Sequence, residues 1–237
     1  MGELCIAERT VVVPGQVLAK GMDFLPGYAV FRDGEELVAT RVGIAEVRGR
    51  LVKITPLAGA YVPKRDDLII GRIVDIALNG WRIDFGWAYE ANLSPRDAVS
   101  EFVERGADLS QYYDVDDYIM AQIAQVVSAK FIDLSMKGPG LRKLGPGTII
   151  EVNSAKVPRI IGKQGSMISM IKEKTGCRIS VGQNGIVWLC GQTPAMERLA
   201  ILAIRQIEAE SHTSGLTDRI KVLLEREGLQ HDVQQTV

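Results

Sequence analysis

Arg159-Ile160-Ile161-Gly162-Lys163-Gln164-Gly165-Ser166 sets two glycines around a cation and an amide side chain. A backbone without Cβ approaches a phosphodiester closely and takes dihedrals that other residues resist. Helices on either side of such a loop add N–H groups and a partial positive field. Lys163 supplies formal charge and Gln164 a neutral donor. The chemistry on offer is the grip of a polyanion backbone, with no bond made or broken.

Residues for catalysis do not gather elsewhere in the chain. His212 and His231 lie far in sequence from any carboxylate cluster that could orient them, which suits exposed histidines better than general bases. Asp114, Asp116 and Asp117 have no matching acidic motif on a neighbouring strand and read as an exposed acidic loop, so no metal is expected. Nucleotide-binding glycine loops are missing, and no cofactor is expected. Cys5, Cys177 and Cys190 lack C-x-x-C spacing; Cys177 and Cys190 fall on strands expected to pair, and reduced thiols suit a cytosolic protein. The amino terminus has no basic region followed by an apolar run, and no stretch approaches a membrane span. The expectation is a soluble, cytoplasmic, non-enzymatic protein.

Around the two glycines, the punctuation of the chain predicts the elements that must position them. Gly145-Pro146-Gly147 opens a strand over Thr148–Asn153. Pro158 suits the first turn of a short helix in which Ile160 and Ile161 find burial. Beyond the loop Met167, Ile168 and Ile171 recur at helical spacing until Thr175-Gly176 stops them. Cys177–Val181 and Ile186–Cys190 then form a hairpin through Gly182-Gln183-Asn184-Gly185, with a turn at Asn184-Gly185. Pro194 opens a long helix whose stripe is Met196, Leu199, Ala203 and Ile207.

This order, and the core Ile160-Ile161-Gly162-Lys163-Gln164-Gly165-Ser166-Met167-Ile168, resembles a type I KH domain (βααββα). Such domains bind single-stranded RNA or DNA and clamp about four nucleotides with this loop. The resemblance implies RNA contacts at Arg159, Ile160, Gly162, Lys163, Gln164 and Gly165. A KH-like fold can also be kept only as a docking scaffold.

Charge is segregated along the chain. The whole sequence of 237 residues has a formal net charge of −1, which by itself suggests no polyanion partner. From Lys137 to Gly182, however, nine Lys or Arg face two acids, whereas from Asp84 to Ala121 two Arg (Arg96 and Arg105) face nine acids. Segregation of this kind preserves the field that attracts a phosphate backbone.

Before the KH pattern the chain reads as a small barrel. Asp67–Ile76 is a strand, and Asn79-Gly80 turns it back into Trp81–Tyr89, where Trp81, Ile83, Phe85, Trp87 and Tyr89 alternate onto one face. Tyr118–Val127 and Lys130–Met136 supply further strands, and the acidic stretch Ser94–Asp117 between them has some helical periodicity. Ile70-Gly71-Arg72-Ile73-Val74-Asp75-Ile76, Asn79-Gly80-Trp81-Arg82-Ile83-Asp84-Phe85 and Leu134-Ser135-Met136-Lys137 resemble the S-one type of OB fold, a single-strand-binding barrel. At the aromatic positions of that family's binding face stand Asn79 and Arg82, and Ser94 replaces its usual histidine. The aromatic stripe is therefore assigned to packing, and RNA contact by the barrel to Lys64, Arg65 and Arg82, without sequence preference.

The first sixty residues hold short strands: Val11–Leu18, Tyr28–Arg32, Leu37–Thr40, Ile44–Val47 and Leu51–Thr55, with a hairpin at Asp33-Gly34. The expected fold class is α+β and multidomain. Residues 1–62 form a small β domain for partner docking, 63–144 the OB-fold β-barrel, 145–212 the KH domain and 213–237 a terminal helix and tail. In that helix Leu216, Ile220, Leu223 and Leu224 make a stripe, and the tail after Gly228 is expected to be disordered.

β domain, barrel and single KH unit, together with Val13-Pro14-Gly15, Pro56-Leu57 and Tyr61-Val62-Pro63, resemble the RNA-binding cap subunits of the archaeal exosome, the Rrp-four type. One departure is Asp66-Asp67, where that family commonly has Gly-Asp. The resemblance implies a non-catalytic subunit, three copies of which sit on a hexameric phosphorolytic ring and guide the 3′ end of single-stranded RNA into it. Polynucleotide phosphorylase has the opposite order, KH before barrel, after catalytic domains too large for this chain. A free-standing single-stranded RNA-binding regulator is the alternative.

Overall fold

A computed structural model describes every residue except Met1, Glu8, Arg105, Ala129, His212, Ser214 and residues 235–237. Three residues singled out above are affected: Arg105, His212 and the side chain of His231 lie outside the description. The chain divides into two compact units, residues 1–59 and 60–237.

Frequent glycine and proline keep the strands of the first unit short. Among the described residues they build two four-stranded sheets. One orders Glu3–Leu4, Val17–Lys20, Glu36–Ala39 and Val30–Asp33; the other orders Val11–Val12, Gly43–Arg48, Leu51–Pro56 and Leu25–Pro26. The single expected strand Val11–Leu18 is thus two. Pro14-Gly15 forms a turn, with Gln16 N–H donating to the Val13 carbonyl (3.1 Å), and hands the chain from one sheet to the other. Asp33 pairs with Glu36 across the expected hairpin. Val12, Leu18, Leu37, Ala45, Val52 and Ile54 fill the space between the sheets.

In the second unit Leu68–Ala77, Gly80–Asp84, Ala91–Leu93, Phe131–Ser135 and Tyr118–Ser128 pair in that circular order and close a barrel. All pairs are antiparallel except Asn92 with Asp133 and Leu93 with Leu134. Closure gives every strand of the ring a partner on each side over at least part of its length. Trp81 and Phe85 are each 1% exposed inside it, and Trp81 Nε1 donates to the Tyr113 carbonyl at 3.0 Å. Packing of the aromatic stripe holds for these two, for Ile83 and in part for Trp87, which is half-buried against the barrel core, but the strand ends at Asp84. Gly86 has φ 78°, which takes Trp87 and Tyr89 out of the alternation, and Tyr89 stands in the open beneath Lys130 Nζ, 5.6 Å from its ring centroid. Helical periodicity in the acidic stretch is also mostly unrealised: among its described residues only Pro95–Ala98 is α-helical and Leu109–Gln111 a 3₁₀ turn. Asp97 and Asp108 are spent locally, on Ser94 and Ser110.

The remainder is an α/β layer. Thr148–Glu151, Ile186–Cys190 and Arg178–Val181 form an antiparallel sheet with Ile186–Cys190 in the middle. Helices Val157–Ile161, Ser166–Thr175 and Pro194–Ala209 cover one face, burying Ile160, Ile171, Val187, Leu189, Ala203 and Ile207. A fourth helix, Leu216–Gln234, packs Leu216, Ile220 and Leu224 into the same core. It runs on through Gly228, where a disordered tail is expected from the sequence.

The other face of this sheet lies against the barrel. Trp188, 2% exposed, packs with Ile70 and Leu144. Gly80–Asp84 pairs with the first barrel strand only from Arg72 onward, so the stretch before it has an uncovered side. The hairpin turn covers that side. Leu68 N–H donates to Gln183 Oε1 at 2.8 Å, and Gln183 N–H donates to the Leu68 carbonyl at 2.7 Å. Asn184 Oδ1 accepts from Ile70 N–H at 3.2 Å, while its Nδ2 donates to the carbonyls of Ile70 and Phe85, both at 2.8 Å. Strand backbone that would otherwise be orphaned at the joint is satisfied by one tetrapeptide.

Candidate nucleic-acid interface

Each part of the glycine loop has a local cause. Asn153 Oδ1 accepts from Ala155 N–H at 3.0 Å and starts the turn that leads into Val157–Ile161, where Pro158 occupies the first turn. Gly162 ends that helix with φ 77°; a Cβ there would meet Met167 Cβ at 2.6 Å and Met167 N at 2.7 Å. No side chain fits. Gly165 has φ 81° and open space around it, so its requirement is conformational only. Between them Gln164 takes φ 53° and ψ 28°, a left-handed conformation uncommon for a side-chain-bearing residue and typical of sites under functional constraint.

The next helix, Ser166–Thr175, begins at this loop without a side-chain cap. Ser166 N–H donates back to the Lys163 carbonyl, and the N–H groups that follow in the first turn lie at the positive end of the helix dipole, beside the loop. Lys163, Gln164 and Arg159 are exposed, and among the described residues neither Arg159 nor Lys163 forms an ion pair with a carboxylate. Arg159, Gly162 and Lys163 line one open cavity of about 670 Å³ together with Ser166 and Thr217. Ile160 does not belong to this surface. Its exposure is 0%, and it sits in the core under the loop among the residues around Ile171. An apolar side chain in the first helix is needed to hold the loop down, so the contact assigned to Ile160 from sequence is corrected to a supporting role.

The barrel candidates are placed apart from one another. Lys64 and Arg65 are exposed in the turn before the first barrel strand. Asp67 organises that turn: its carboxylate accepts from Tyr61 Oη at 2.6 Å and from Lys64 N–H at 3.2 Å. Burial, then the hydrogen bond to Asp67, pushes the Tyr61 phenol far above its usual range. Asp66 takes φ 70°. The departure from the family's Gly-Asp therefore falls on a backbone that glycine would adopt freely.

Arg82 lies on the second barrel strand, 3.8 Å from Asp75 and 3.6 Å from Glu90. With Asn79 and Ser94 it lines a cavity of about 540 Å³, so the three positions at which this barrel departs from its family do meet on one face. The face is poorly suited to stacking. Ser94 Oγ donates to Asp97 at 2.7 Å and caps the helix Pro95–Ala98.

Sequence reasoning missed the role of Gln183 and Asn184, whose types suit any hairpin turn. Among the described residues, no group of three or more His, Cys, Asp or Glu side chains could hold a metal ion. Cys177 and Cys190 are free; burial pushes the Cys177 thiol up. No helix of the described residues is long and apolar enough to cross a membrane.

Comparison with known proteins agrees with this anatomy. Residues 147–206 match the KH domain family. The chain is 43% identical to the exosome complex component Rrp4 of Thermococcus kodakarensis, over 94% of this chain and 88% of that protein. It is 41% identical to the Rrp4 of Pyrococcus abyssi, over 94% and 85%. Against the Rrp4 of Methanothermobacter thermautotrophicus it is 40% identical, over 98% and 73%. A crystal structure described as an exosome complex RNA-binding protein superposes with a TM-score of 0.64 at 35% identity, covering 71% of this chain and 97% of that one. The chain belongs to the Rrp4 family of exosome complex components.

Proposed function

We propose that this protein is a non-catalytic, RNA-binding cap subunit of a 3′-to-5′ RNA-degrading exosome, which grips single-stranded RNA and passes it to a phosphorolytic ring. One observation carries the reading. Lys163 and Gln164 of the loop are exposed between half-buried glycines, the helix that follows starts without a side-chain cap, and among the described residues neither Arg159 nor Lys163 is ion-paired, although Asp218 lines the same cavity. That arrangement offers helix-start N–H groups and open cations to phosphates.

Within this division of labour residues 1–62 dock on the ring, three copies to a hexamer, while residues 63–144 and 145–212 carry the barrel and KH surfaces. Support for docking comes from the first unit itself, where Met22 (70%), Val11 (57%), Leu25 (57%) and Val13 (55%) leave large apolar side chains in solvent. Large apolar side chains left in solvent on so small a domain are what a partner contact would cover.

Two measurements test the proposal. Pure protein incubated with labelled RNA and either phosphate or magnesium leaves the RNA intact; degradation would make the chain an enzyme. Native mass spectrometry of the cytoplasmic complex purified from its own cell finds the chain with ring subunits. A solitary chain there would return it to the class of free-standing RNA-binding regulators.

A further inference from the structure

We infer that the barrel completes the groove beside the KH loop, so that single-stranded RNA is held between the two domains and Arg142 of the barrel side is an RNA contact. The inference rests on the RNA-binding reading above and adds a second wall to it. A cavity of about 390 Å³ opens where the loop ends. Ile161, which precedes Gly162, Ile168 in the first turn of the helix after the loop, and Ile179 of the sheet edge form one side. Leu141 and Arg142, from the segment that leaves the barrel, form the other, and Lys172 stands at the rim.

The two sides offer complementary chemistry. Ile161 and Ile168, half-buried above the buried Ile179, present an apolar surface on which base faces lie without regard to sequence. Arg142 and Lys172 are exposed, and among the described residues neither is ion-paired. Lys143, the neighbour of Arg142, is drawn to Asp117 instead. Arg142 is also well anchored: its backbone pairs with Met120 of the barrel. A guanidinium held on a strand can face phosphate or lie flat on a base.

The joint described above sets the width of this groove. Gln183 and Asn184 bond Leu68 and Ile70, and Leu68 also lines the cavity. Two walls fixed by backbone hydrogen bonds admit a flexible single strand edge-on. A duplex is too wide for a cleft on the scale of a small-ligand pocket.

The test uses the full chain and a short unstructured fluorescent RNA. Arg142→Glu is expected to bind about tenfold more weakly, with a salt slope shallower by about one counterion, at an unchanged melting temperature; Arg142→Lys recovers most of the affinity. A duplex of the same length competes at least tenfold less well. Wild-type affinity and slope for Arg142→Glu, or equal competition by duplex, would overturn the inference. Should Arg142→Glu lower the melting temperature, Lys172→Glu across the groove serves instead, with the same expectation. The loop variant Lys163→Asp with Gln164→Asp separates the two levels. If it loses binding while the groove variants keep it, the composite groove falls and the RNA-binding reading stands; if no variant changes binding, both fall.

Discussion

The KH loop and the barrel face both carry cations, but the chain has treated those charges differently. Arg159 and Lys163 are left open. On the barrel, Arg82 lies between Asp75 and Glu90, Arg72 bonds Asp116 at 3.2 Å, and Lys143 bonds Asp117. Such exposed pairs are individually weak, about 0–1 kcal/mol, and RNA could break them. Breaking them leaves a carboxylate facing a phosphate, however, so the gain from released counterions is spent against repulsion. A tally of lysines and arginines does not locate an RNA site; their pairing does.

Four changes break or sharpen this contrast. Lys163→Asp with Gln164→Asp reverses the charge of one exposed side chain and adds a negative charge at the next, and aspartate tolerates the left-handed conformation at position 164. Single-stranded RNA affinity by fluorescence anisotropy falls about thirtyfold or more with an unchanged melting curve; a change under threefold would break the comparison. Gly162→Ala acts on the fold beneath the loop, because its Cβ would enter Met167 at positive φ. Chemical denaturation reads a loss of about 2–3 kcal/mol. Asn184→Ala removes three hydrogen bonds from the joint, and the orphaned Ile70 and Phe85 groups cost about 2 kcal/mol in the same measurement. Arg82→Ala is the smallest: affinity changes less than about twofold, since the side chain is already engaged. A large loss there would move the principal RNA site to the barrel.

The KH pattern was legible because each boundary is local. Pro158, Gly162, Gly165 and Gly176 mark ends whose backbone requirements are visible in residue type, and the apolar spacing after them has a clear helical period. Barrel strands were legible for the same reason up to Gly86, where alternation continues in the letters but not in the backbone. The acidic stretch misled because periodicity without enough apolar residues does not create a buried face; Asp97 and Asp108 serve short turns. Ile160 was assigned to the surface because the family motif contains it, and its 0% exposure is a property of packing that motif spacing does not carry. The joint was invisible: Gln183 and Asn184 act on residues more than a hundred positions away and leave no local signature.

Cross-linking decides most directly whether the loop, and not the barrel face, holds the RNA. Single-stranded RNA carrying a photoreactive uridine analogue is bound to the full chain, irradiated and digested, and the modified peptides are mapped by mass spectrometry. Cross-links concentrated in the peptides spanning Arg159–Lys172 are the predicted result. Cross-links confined to peptides from Asn79–Ser94, with the loop unmodified, would contradict it.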